Sequence, residues 1–138
     1  MRFKVVLYVM GVAALASLPV WAHHSFAAEY DASKPITLKG TVNHVDWVNP
    51  HSWVHVDVTE ANGKVTTWRC ETAPPNILFR RGWTKNSLKE GEQVTVEGYV
   101  AKDGTATMSA NSVTTASGKR MLTGAAGDGA PKREDDPK

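Results

Sequence analysis

The sequence predicts an all-β fold, a small five-stranded barrel with one short helix between its third and fourth strands. Three observations predict it. Past position 35 the apolar residues alternate at period two and are rich in Val, Thr and Trp, the pattern of half-buried strands. Turn residues punctuate these runs at short intervals, and one proline-led apolar segment separates the third run from the fourth. The chain has 138 residues, 41% of them hydrophobic, which suffices for one small core.

Ile36 to Leu38 and then Val42 form the first strand, and Val45 and Trp47 fall on the opposite phase, which calls for a bulge near Asn43-His44. Ser52 to Val58 alternates cleanly, with Val54, Val56 and Val58 on one face. The Glu60-Ala61-Asn62-Gly63-Lys64 turn leads into a third strand, Val65 to Glu71. Pairing Glu60 with Lys64 sets Val58 opposite Thr66, Val56 opposite Trp68 and Val54 opposite Cys70 along the inner face. Asp57 with Thr67, His55 with Arg69 and Trp53 with Glu71 then share the outer face.

Ala73 to Trp83 reads as one short helix, Pro74 to Arg81, with prolines at its entry and Gly82 at its exit. After the Lys89-Glu90-Gly91-Glu92 turn, Gln93 to Lys102 places Val94, Val96 and Val100 on one face. Asp103-Gly104 turns the chain into a last strand, Thr107 to Thr115. Three strands, a helix and two strands is the order of an OB-type barrel. An open sandwich is the alternative, because no local signal reports closure.

The two ends read differently. Arg2 and Lys4 precede an apolar stretch, Val5 to Leu18, that Pro19 ends before Val20-Trp21-Ala22. This is the layout of a secretory signal peptide over residues 1–22, cut after Ala22, and it makes the expected location the periplasm. The stretch is short of the ~20 apolar residues of a spanning helix, so no stable membrane insertion is expected after processing. No cysteine follows the cut to carry a lipid, and no paired arginine precedes the apolar stretch, so the chain is expected to cross unfolded and bind any cofactor afterwards. The domain is expected over 23–122. Residues 123–138, rich in Gly, Ala and charge, have almost nothing to bury and are expected to be a disordered tail. Without Arg2 and Lys4 the basic and acidic residues balance, so nothing suggests a nucleic-acid partner. The single cysteine excludes an intrachain disulfide and every CxxC motif.

Four stretches together resemble a known family: His23 to Asp31 (HHSFAAEYD), Lys34 to Val42 (KPITLKGTV), Trp47 to Trp53 (WVNPHSW) and Asn76 to Trp83 (NILFRRGW). They are similar to domain-of-unknown-function family 6152, small exported bacterial proteins, over about His23 to Leu122. The resemblance implies export and a compact β-rich domain, and it implies no activity. Cys70 stands where this group has an ordinary strand residue, so it is not a shared functional position.

All five histidines lie between His23 and His55. His44 and His55 read as surface strand residues. Cleavage after Ala22 would give His23 a free α-amine, and amine plus Nδ1 is a compact chelate for copper that a second imidazole completes as a histidine brace. His24 offers a competing mode through amine, deprotonated amide and imidazole. The second imidazole is expected from His51, in the loop Asn49-Pro50-His51, which the hairpin sets at the same end as Glu71 and Trp53. Asn49 before proline is expected to be extended or turned and to aim His51 outward. The candidate metal residues are therefore His23, His51, His24 and Glu71, with copper the expected ion and zinc the second choice.

Other chemistries find less support. There is no GxSxG and no Ser/His/Asp set. Glu29 and Asp31, two apart, make no acid/base pair by themselves. The tryptophans and Arg69, Arg80 and Arg81 resemble the stacking platforms of strand-binding OB folds. In an exported, near-neutral chain, core packing or the rim of a small-ligand site is the better reading. Two function classes remain: a periplasmic binding or accessory protein that holds copper, and a metal-free structural or interaction domain that docks another exported protein. A redox enzyme has little room for a substrate cleft in so small a chain.

Overall fold

The structure, a computed structural model, describes residues 25–124. The expected signal peptide, His23, His24 and most of the expected tail lie outside the described residues.

Helix α1 (Phe26–Glu29) leads into β1 (Tyr30–Asp46), β2 (Trp53–Thr59) and β3 (Val65–Glu71). Helix α2 (Pro75–Arg80) precedes β4 (Gln93–Ala101), β5 (Thr107–Thr115) and β6 (Arg120–Leu122). The strands run β3-β2-β1-β4-β5-β6, and β3 also pairs with β5 in parallel, through Arg69↔Thr107, Cys70↔Met108 and Glu71↔Ser109. That last pairing closes β1, β2, β3, β5 and β4 into the five-stranded barrel and removes its open edges.

The hairpin between β2 and β3 has the expected register, Val54↔Cys70, Val56↔Trp68 and Val58↔Thr66, with Glu60 N–H donating to the Lys64 carbonyl at 2.8 Å. Cys70 is fully buried, between Val54 on one side and Met108 on the other. The expected bulge also occurs, between Val42 and His44, and it turns Val45 and Trp47 onto the core.

Several elements differ from the sequence expectation. Strand β1 starts at Tyr30, before Ile36, because Tyr30 pairs with Ala101 and its ring packs with Phe26 and Tyr99 in a small satellite core. Between Tyr30 and Pro35 its register with β4 shifts. Val94, Val96 and Val100 keep one phase along β4 as expected, but Tyr99, on the other phase, is buried in the satellite core, and a second bulge opposite Glu97/Gly98 places its extra residue, Asn111, on β5. Helix α2 is one residue shorter at each end than expected, and Gly82 follows it at φ 85°, a left-handed conformation that favours glycine.

Strand β6 was not expected at all. It pairs with β5, and it is stitched down by Trp83 Nε1–H donating to the Leu122 carbonyl at 2.9 Å and Ala73 N–H donating to the Thr123 carbonyl at 3.1 Å. Thr123 is fully buried, so the packed part reaches one residue into the segment expected to be tail. No helix among the described residues is long and apolar enough to cross a membrane.

Candidate functional site

The loop between β1 and β2 meets the end of β3 at one rim of the barrel. Backbone bonds extend the β2–β3 ladder past Trp53↔Glu71: Thr72 N–H donates to the Ser52 carbonyl at 2.9 Å, and the Thr72 hydroxyl donates to the same carbonyl at 3.0 Å. This brings His51 over Glu71.

His51 Nδ1 bonds one carboxylate oxygen of Glu71, and the Tyr30 hydroxyl donates to the other. Glu71 is 6% exposed, and a carboxylate that far out of water requires such donors. Burial first, and then the bond to Glu71 and its charge, push the Tyr30 phenol above its ordinary pKa, so it remains a proton donor. An acceptor at Nδ1 assigns the proton to that nitrogen and leaves Nε2 as the nitrogen through which this ring can ligate.

The structure therefore brings His51 and Glu71 together, but in roles the sequence did not anticipate. His51 is turned inward onto Glu71, not outward, because the buried carboxylate draws its ring; the Asn49-Pro50 peptide before it is cis. Glu71, expected as a rim ligand, has both oxygens engaged and stands behind His51 as its anchor. Trp53 lies on the outer face with the Arg69 guanidinium over its ring, 4.4 Å from the centroid, a cation–π contact. Tyr30 escaped the sequence reading because it precedes the first clear alternation.

A second cluster lies on the outer face of β1 and β2. The bulge at Asn43 puts His44 directly opposite His55, and the two rings stack with centroids 3.9 Å apart. Asp46 reaches both: its Oδ2 is 3.0 Å from His55 Nε2 and 3.6 Å from His44 Nε2. Partial burial, followed by repulsion from His44, lowers the His55 pKa against the opposing pull of Asp46. His44 and His55 are thus not separate surface residues. The signal was available, because the bulge that the sequence requires also fixes this pairing.

Residues 11–110 match a family described as "Family of unknown function (DUF6152)", more than half of the chain and all of both clusters. No curated protein matches the chain.

Proposed function

The chain belongs to the family of unknown function DUF6152, and on that premise, which brings no activity with it, we propose that it is an exported periplasmic protein that binds copper through a processed N-terminal histidine. The observation that carries this reading is the Tyr30–Glu71–His51 chain. A carboxylate on Nδ1 fixes the tautomer and orientation of a ligating imidazole and raises its basicity, and such supporting partners commonly govern metal affinity.

The other half of the site is the start of the processed chain. Its amine and the His23 imidazole form a chelate within one residue, so only a second imidazole has to be positioned. Phe26, three residues after His23, packs against Tyr30, whose hydroxyl holds Glu71. The chelate is thereby tethered to the cluster that holds His51, by at most about 11 Å of chain. Nitrogen donors of this kind favour copper, and zinc is the second choice. His51 supplies the third nitrogen, and Tyr30 and Glu71 position it.

Intact-mass measurement of periplasmic material should give a chain beginning at His23. Titration of that species with Cu(II) should show one tight equivalent, lost when the N-terminal amine is acetylated and in His51→Ala. Tyr30→Phe should weaken it roughly 10–100-fold, the cost of removing a supporting partner. His23→Ala leaves only the competing His24 mode. Tight binding that survives both acetylation of the amine and His51→Ala overturns the proposal and leaves the metal-free interaction domain as the better reading.

A further inference from the structure

We propose that His44, Asp46 and His55 form a separate metal site, for a borderline divalent ion of the zinc type, on the outer face of the barrel. The site shares no residue with the N-terminal one, and the inference does not depend on it. Three potential ligand atoms, two imidazole nitrogens and a carboxylate oxygen, lie within 4.8 Å of one another. The Nε2–Oδ2 separations of 3.0 and 3.6 Å bracket the edge of a tetrahedron about an ion with bonds of about 2.0–2.2 Å, roughly 3.3–3.6 Å.

What raises this above a chance cluster is the support behind His44. The Asp57 carboxylate can only accept, and it takes the Asn43 amide, Nδ2 to Oδ2, at 2.8 Å. That orients the Asn43 carbonyl oxygen toward His44 Nδ1, 2.8 Å away, so the neutral ring carries its proton on Nδ1 and turns its Nε2 lone pair toward Asp46. A lone pair aimed at a carboxylate is repulsive unless a proton or a metal ion stands between them, and two imidazoles that share one carboxylate suit the metal ion. An ordinary His55–Asp46 hydrogen bond accounts for one edge of the cluster and leaves this relay without a purpose.

The relay is built by the bulge. As the extra residue of β1, Asn43 lies on the same outer face as His44 and within reach of Asp57 on β2. Thr67, on β3, donates to the other Asp57 oxygen and holds that carboxylate in place. Arg69, opposite His55 on β3, is held over Trp53. The rings are stacked at 11°, so each must turn about χ2 for the two lone pairs to converge on one ion. His44, 43% exposed, has room to do so, and the fourth position opens to solvent.

Zinc ion alone, added to the full processed chain with its N-terminal amine acetylated, tests this. Nitrogen-15 spectra of the histidine rings should show the Nε2 signals of both His44 and His55 shifting together up to one equivalent. Calorimetry should lose that equivalent in His44→Ala and in His55→Ala, retain it in His51→Ala, and show roughly 10–100-fold weakening in Asn43→Ala. Unmoved ring signals, or unchanged affinity in both single histidine variants, overturn the site. Failure of the N-terminal copper site would show in the Cu(II) titration and would leave these zinc signals as they are.

Discussion

Cys70 shows how a single side chain reports on the interior around it. It has no exposed surface, and burial pushes its thiol from an ordinary 9.0 up to about 12. A raised folded-state value means the neutral thiol is favoured by folding, so its contribution is fully present below about pH 9 and is lost as pH rises toward 12. Tyr30, also raised, acts in the same direction. Stability measured by denaturant titration at rising pH should therefore fall more steeply in the wild type than in Cys70→Ala, with the difference opening above pH 9. Equal slopes would mean that the thiol ionises in the folded state as it does in water. Cys70 was legible because the hairpin register sets it opposite Val54 on the inner face. Glu71, its neighbour, was placed correctly in register but not in burial, since the Tyr30 side chain that meets it comes from 41 residues away.

Elements carry the two bulges, and these were not equally readable. Skipping a residue at Asn43 leaves a trace, because Val45 and Trp47 can reach the core only if the phase changes. The bulge opposite Glu97/Gly98 leaves none: its extra residue is Asn111 on β5, in the run Ser109-Ala110-Asn111-Ser112, where no large apolar residue marks the change of phase. The close approach of the two strands here depends on Gly98, where an added Cβ would run into the backbone oxygen of Ser109 and the tip of Met108. A backbone oxygen cannot swing aside as a side-chain end can. Gly98→Ala should therefore cost about 1–3 kcal/mol or more, as overpacking does, seen as a lowered denaturant midpoint. An unchanged midpoint would show that β4 and β5 do not approach this closely. Helix α1 and strand β6, of 4 and 3 residues, are too short to carry a period.

Over the whole molecule, closure depends on three parallel residue pairs between β3 and β5. Parallel pairing is slightly weaker per residue than antiparallel, so side chains beneath the seam must contribute. Met108 is the largest of these. It is fully buried, registered against Cys70 on β3 and Val100 on β4, and so spans the two strands on either side of β5. Met108→Ala should destabilise the protein by about 2–5 kcal/mol through the cavity it leaves. It should also speed labelling of the native Cys70 thiol, because the shortest seam of the barrel then opens first. Destabilisation without faster labelling would mean that Cys70 is exposed only by global unfolding.

The sequence by itself determined the all-β class, the order of strands and helix, the β2–β3 register, the bulge at Asn43 and the burial of Cys70. Each of these follows from alternation, turn residues or pairing across one tight turn, among residues close along the chain. Tertiary structure alone decided the closure of β3 on β5, the long start of β1, the second bulge, and the seating of β6 under Trp83. It also decided the setting of His51. His51 and Glu71 meet Tyr30 across 41 residues of chain, through burial that no local pattern reports, whereas the His44–His55 pairing follows from the bulge at Asn43. A local pattern can permit such contacts, but only the closed sheet selects them.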